Sequence, residues 1–159
     1  MNGYDTFREC KHLSIKSNCD KIRFGAIVTD SMGQAIGWGY NHNPIADEEW
    51  ECAKECAGSI RLGVRGGTCV ERCYSIHAEQ HALLDSGGKG KTMWVAGWMP
   101  DGTPFDNGGG FYCTVCARLM MVAGIEYVMI RSNDEWKLLT MQEAWDDSYR
   151  LATKTQSCH

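Results

Sequence analysis

The sequence predicts an α/β fold of three layers, α/β/α, with a mixed central sheet. Three observations predict it. A hairpin signal lies near the N-terminus, strand and helix patterns alternate after residue 77, and 159 residues with 43% hydrophobic and 23% charged side chains suffice for one core. One domain is expected over 1–159, with no internal repeat or low-complexity tract.

The elements follow in order. Segment 5–16 reads as a helix, with Asp5 as N-cap and Phe7, Cys10 and Leu13 at helical spacing. Ile22–Thr29 and Ala35–Tyr40 read as strands joined by the turn Asp30-Ser31-Met32-Gly33. From 41 to 76 the chain is an irregular, charged, cysteine-rich insertion. Ala78–Ser86 reads as a helix stopped by Gly87-Gly88, and Thr92–Trp98 as a strand followed by a Gly/Pro/Asp loop over 99–112. Thr114–Ala123 reads as a helix ending at Gly124, and Glu126–Ile130 as a strand. Thr140 and Glu143 fit a capping box that opens a last helix over about 141–152. Strand–helix–strand units imply parallel pairing after the hairpin, with helices on both faces.

Composition narrows the function. The formal net charge is -4 and no long Lys/Arg run occurs, which disfavours long nucleic acids as partners but not a single nucleotide. No stretch is apolar enough to span a bilayer, and the N-terminus lacks a signal-peptide pattern, so a cytoplasmic location is expected. Nine cysteines in that reducing setting point to metal or catalysis rather than disulfides.

Two short patterns carry the chemistry. His77-Ala78-Glu79 opens one predicted helix, and Cys113-Thr114-Val115-Cys116 opens another. Cysteines three apart in a first helical turn share a face, so both thiolates can reach one ion, with His77 as third ligand. Three protein ligands leave a fourth tetrahedral position for water, the catalytic arrangement for Zn²⁺. Two helix N-termini facing the site would each favour negative charge there by about 0.3–1 kcal/mol. Glu79, two residues from a ligand, is placed to move protons, which calls for a pKa raised by burial.

Histidine-x-glutamate followed by Cys-x-x-Cys resembles the signature of zinc-dependent deaminases, and the surrounding residues resemble the cytidine/deoxycytidylate deaminase superfamily, nearest to deoxycytidylate deaminases. Phe24-Gly25-Ala26-Ile27-Val28, Gly39-Tyr40-Asn41, His77-Ala78-Glu79-Gln80 and Ala123-Gly124-Ile125 occur in the family's order, over about 5–131. The resemblance implies a cytidine-deaminase-like fold and deamination of a free cytosine nucleotide, dCMP to dUMP. It further implies zinc on His77, Cys113 and Cys116, Glu79 as acid/base, Asn41 at the sugar or base, the Ala78 N–H at the pyrimidine carbonyl, and a homo-oligomer. Lys21, Arg23, Arg61 and Arg65 are candidate phosphate partners. Tyr112 stands where the family usually has Pro before the first cysteine, and His81 where it often has Asn; His81 is expected around the site or on the surface.

Other readings stay open. The substrate could instead be a nucleoside, a purine base, a modified cytosine nucleotide or a tRNA adenosine, or the chain could be a non-enzymatic zinc or nucleotide-binding module. Glu79 argues against the module, since a structural site has no use for a carboxylate that is not a ligand. Cys52-x3-Cys56 and Cys69-x3-Cys73 suit a second, structural zinc ordering the insertion, with His42, Cys10 or Cys19 as substitutes for one ligand. Gly90-Lys91-Thr92 is no phosphate loop, because Asp85 occupies the position that must be Gly.

Overall fold

A computed structural model describes residues 2–44 and 75–152. Helix α1 (Gly3–Ser14) is followed by strands β1 (Arg23–Thr29) and β2 (Ala35–Tyr40), helix α2 (Ala78–Asp85), strands β3 (Thr92–Trp98) and β4 (Pro104–Phe105), helix α3 (Thr114–Val122), strands β5 (Tyr127–Ser132) and β6 (Glu135–Thr140), and helix α4 (Met141–Ala152). The strands form one mixed sheet in the order β2-β1-β3-β5-β6, with β4 alongside the end of β3. Hairpin β1–β2 and the β1–β3 pair are antiparallel, while β3 and β5 run parallel through the α3 crossover.

Alternation along the strands makes the layers. On one face of β1, Ile27 joins Cys10 and Leu13 of α1, with Ala96 and Trp98 of β3. On the other, Ala26 and Val28 join Ala82 and Leu83 of α2, Cys116 and Met120 of α3, and Ala144 of α4. One helix therefore covers one face and three cover the other. This is the expected three-layer α/β/α architecture.

Local signals explain most boundaries. In the first turn, Asp30 Oδ1 accepts from the N–H groups of Met32 and Gln34, both at 2.9 Å, and Gly33 takes φ +77. Thr140 Oγ1 accepts from Glu143 N while Glu143 Oε1 accepts from Thr140 N, both at 3.1 Å, the reciprocal box that starts α4. Helix α1, however, starts two residues early. Asn2 rather than Asp5 is the N-cap, its Oδ1 accepting from Asp5 N at 2.9 Å, so Asp5 falls inside the first turn.

The larger difference is a hairpin where a single strand was expected. Strand β5 runs on to Ser132, reverses through Asn133 (φ 52) and Asp134 (φ 63), and returns as β6. Two consecutive positive φ values in a two-residue connection match the right-handed twist of the flanking strands, and Asn and Asp tolerate them best after Gly.

Candidate active site

Two helix N-termini bring the expected ligands together. His77 is the N-cap of α2 and Cys113 the N-cap of α3, with Cys116 in the first turn of α3. His77 Nδ1 lies 3.3 Å from Cys116 Sγ and 3.4 Å from Cys113 Sγ, and the three donor atoms all fall within 4.8 Å of one another. A tetrahedral zinc with bonds of about 2.0–2.1 Å to nitrogen and about 2.3 Å to sulfur would separate N from S by about 3.6 Å. The trio fits the ion. Among the described residues no other group of three His, Cys, Asp or Glu does so.

Backbone contacts set each ligand. Gln80 Oε1 accepts from His77 N at 2.8 Å, fixing the start of α2, and Cys113 Sγ accepts from Cys116 N at 3.4 Å. The Gln80 contact follows from its place three residues after the N-cap, a capping-box spacing that sequence reasoning passed over. The loop before Cys113 is bound to the β5–β6 hairpin. Asp106 accepts from Gly108 N at 2.7 Å and Asn133 N at 2.9 Å, Asn107 N donates to Arg131 O at 3.0 Å, and Lys137 Nζ donates to Gly109 O at 2.6 Å. Tyr112, standing in for Pro, donates its hydroxyl to Asn107 O at 2.6 Å. A side-chain hydrogen bond thus restrains this loop where a proline ring would.

The two thiols differ in acidity, Cys116 being pushed well above the ordinary thiol value by its hydrogen bond to Cys113 and by burial. The Cys113 thiol falls to about 4, chiefly because the Cys116 thiol hydrogen-bonds to its sulfur, with His77 adding to the fall. Burial works against the His77 imidazolium, but its hydrogen bond to Cys113 and the nearby charges of Cys113 and Glu79 raise it to about 9. Both shifts favour a thiolate on Cys113 facing an imidazolium on His77 when no metal is bound. An ion displaces that proton, since a ligand must present a lone pair. Burial pushes the Glu79 carboxyl above its ordinary value, partly offset by His77. Glu79 also acts electrostatically on Cys116, so it stands among the ligands without being one of the grouped donors.

The remaining expectations fare differently. Ala78, 1% exposed, is the first residue of α2, where N–H groups lack intrahelical acceptors. Asn41 is also buried, but both ends of its amide bind backbone: Oδ1 accepts from Phe24 N at 2.7 Å and Nδ2 donates to Ile22 O at 2.8 Å. Arg23 Nε donates to Cys19 O at 3.1 Å. Cys10 is sealed in the α1 face of the core, and burial holds its thiol far above the usual range. Cys52, Cys56, Cys69, Cys73, Arg61 and Arg65 lie outside the described residues.

The comparisons with known proteins agree with this geometry. Residues 4–132 match the model of the cytidine and deoxycytidylate deaminase zinc-binding region. The fold is similar to that of cytidine deaminase from Mycobacterium tuberculosis, with a TM-score of 0.52, 12% identity, and 94% of this chain and 98% of that chain covered. It is also similar to cytidine deaminase from Mycobacterium leprae, with a TM-score of 0.50, 15% identity, and 89% and 95% covered. No curated protein matches significantly. Among the described residues no helix is long and apolar enough to cross a membrane.

Proposed function

Because the chain belongs to the cytidine and deoxycytidylate deaminase family, whose zinc-binding region spans residues 4–132, we propose that it hydrolytically deaminates a free cytosine nucleotide, dCMP to dUMP, releasing ammonia. The observation that carries deamination is the convergence of His77, Cys113 and Cys116 beside a non-ligand Glu79 whose pKa is raised by burial. The choice of a deoxycytidylate rests on the ordered resemblance of Phe24–Val28, Gly39–Asn41, His77–Gln80 and Ala123–Ile125.

His77, Cys113 and Cys116 would hold the zinc. When bound, the ion would supply Lewis acidity that makes water a competent nucleophile near neutral pH. Glu79 would carry two protons in turn from the attacking water, the first to the base ring nitrogen N3 and the second to the departing amine. The C4–O bond forms and the C4–N bond breaks, so that the water's oxygen stays on the base as the C4 carbonyl and only ammonia leaves. A carboxyl raised by burial suits both halves of this shuttle. The Ala78 N–H binds the pyrimidine carbonyl. Asn41 Oδ1, with one lone pair on Phe24 N, keeps the second for a sugar hydroxyl. The proposal includes a second, structural zinc on Cys52, Cys56, Cys69 and Cys73, and a homo-oligomer working in the cytoplasm.

A nucleoside substrate is the second reading. The similar solved structures are cytidine deaminases, and Arg23, a candidate phosphate partner, already donates to Cys19 O. Ammonia release from dCMP, dCTP, cytidine, guanine and adenosine separates the readings. Turnover of dCMP is expected; turnover of cytidine with inert dCMP and dCTP overturns the nucleotide version.

A further inference from the structure

His77 is bracketed by one short stretch of chain. On its N-terminal side Ile76 exchanges two backbone hydrogen bonds with His42, Ile76 N to His42 O at 2.9 Å and His42 N to Ile76 O at 3.2 Å. One helical turn after it, His81 Nδ1 accepts from Tyr40 N at 3.2 Å. Residues 40 and 42 thus grip α2 immediately before and four residues after the histidine ligand. The same Nδ1 stands 3.4 Å from the Tyr40 carbonyl. The shorter contact has a donor fixed by the backbone, so it sets the tautomer, with the ring proton on Nε2.

Strand β2 is an edge of the sheet, and its outward N–H groups need partners. Asp85 provides the second, its Oδ2 accepting from Trp38 N at 2.9 Å. His81 and Asp85 lie four apart on one face of α2 and bind alternate residues of β2. Between them the backbones nearly touch: a Cβ on Gly39 would sit 2.3 Å from Ala78 O, and one on Gly37 2.4 Å from Ala82 O. Two side-chain bonds therefore fix where α2 lies along β2. His81 fixes the end bearing His77, Ala78 and Glu79, and Asp85 the far end.

We propose that His81 is a positioning residue: through Tyr40 N it sets the place of His77 and Glu79 relative to Cys113 and Cys116. This deepens the deaminase reading and rests on it. Asp85 makes the same kind of bond to the same strand, and so serves as the control for a merely structural effect.

The test compares His81→Leu, His81→Asn and Asp85→Leu in the full chain. Asn can still accept from Tyr40 N; Leu cannot. Cobalt(II) titration, read by its ligand-field absorption, reports the His/Cys/Cys geometry without any substrate, and kcat and KM are measured on whichever compound of the panel turns over. His81→Leu is expected to weaken cobalt affinity and lower kcat by about 10–100-fold, as loss of support to a metal ligand does, with KM little changed. His81→Asn should recover most of both. Asp85→Leu should lower the melting temperature while leaving the cobalt spectrum and kcat near wild type. Equal losses in His81→Leu and Asp85→Leu, or a wild-type cobalt spectrum in His81→Leu, overturn the proposal. If His81→Leu does not fold, His81→Ala against Asp85→Ala, which likewise remove the acceptor, decides by the same criteria. A wild type inert on every compound, with these cobalt shifts intact, overturns the deaminase reading alone.

Discussion

The two faces of the sheet are packed by different means. Against α1 the filling is large rings. Phe7 lies 5.1 Å from Trp98, Trp136 stands edge-on to Phe7 and Trp94 at 6.3 and 5.1 Å, and the Arg131 guanidinium sits 4.1 Å over Phe7. Against α2, α3 and α4 the filling is aliphatic, with Leu83, Met93, Met120, Val128 and Ile130 beside the small residues Ala78, Ala82, Ala117 and Ala144, and Gly37 and Gly39 let the α2 backbone lie on β2. Rings bury much area per residue but leave several ways to repack. Small residues bury less and admit one separation. On the face that must hold three ligand atoms within ångströms, the second kind sits where α2 meets β2.

Substitutions on each face test that contrast. The largest effect is expected at Glu79→Gln, a loss of 10²–10⁴-fold in kcat, on the scale of a lost proton shuttle (~3–5 kcal/mol in the barrier); ammonia release with zinc content near wild type checks it. The same variant has a pH signature in metal-free protein. Burial raises the Glu79 pKa, so above the ordinary carboxylate value of 4.5 the folded state binds more protons than the unfolded one, and stability falls as pH rises toward the raised value. Glu79→Gln removes that loss. Its metal-free form should melt above wild type at pH 7, and the gap should close below pH 4.5; a constant gap across this range would contradict the burial argument.

Next comes Trp98→Ala on the ring face, where Trp98 is 3% exposed. A loss of about 3–5 kcal/mol is expected by chemical denaturation, with zinc affinity of the folded fraction unchanged. A fall in zinc affinity comparable to that of a ligand variant would break the comparison. Gly39→Ala on the other face should reverse the balance: a destabilisation of about 1–3 kcal/mol from overpacking, together with weakened metal binding, since the new methyl pushes on Ala78 O. The smallest effect is Thr140→Ala. It removes half of the reciprocal box at α4 and should cost about 1 kcal/mol, read as a small drop in melting temperature with activity intact.

Much of this was legible in the sequence because the signals were local. Gly33, Gly87 and Gly124 stop or turn the chain where positive φ is needed, at φ +77, +75 and +84. The ligand pair Cys113/Cys116 and the His77/Glu79 pair announce themselves by spacing along two helix starts. Strand β6 was not legible. It is an outer strand with only Leu139 buried, so Glu135–Thr140 carries no regular apolar alternation, and its turn uses Asn-Asp rather than a glycine. Strand β4, two residues long, exists only because Gly97 and Trp98 offer it a partner. His81 was read as surrounding or surface. Its role depends on which backbone N–H lies opposite, and that is fixed by the register of β2 against α2, a tertiary fact. Asn41 teaches the same: a turn residue's first duty here is to close the hairpin on Phe24 and Ile22.

One distant feature has leverage on the metal. The β5–β6 hairpin tip, at Asn133 and Asp134, is solvent-exposed and would ordinarily be a safe place to graft a tag or a foreign loop. Yet Asn133 N is held by Asp106, and Arg131 O and Lys137 Nζ hold Asn107 and Gly109, on the segment that delivers Cys113. A graft at this tip would pull on a cysteine ligand through three tethers, whereas one at the β1–β2 turn around Met32 would load the hairpin's own Asp30 bonds. The molecule's tolerance to engineering is therefore uneven, and the hairpin tip is not neutral ground.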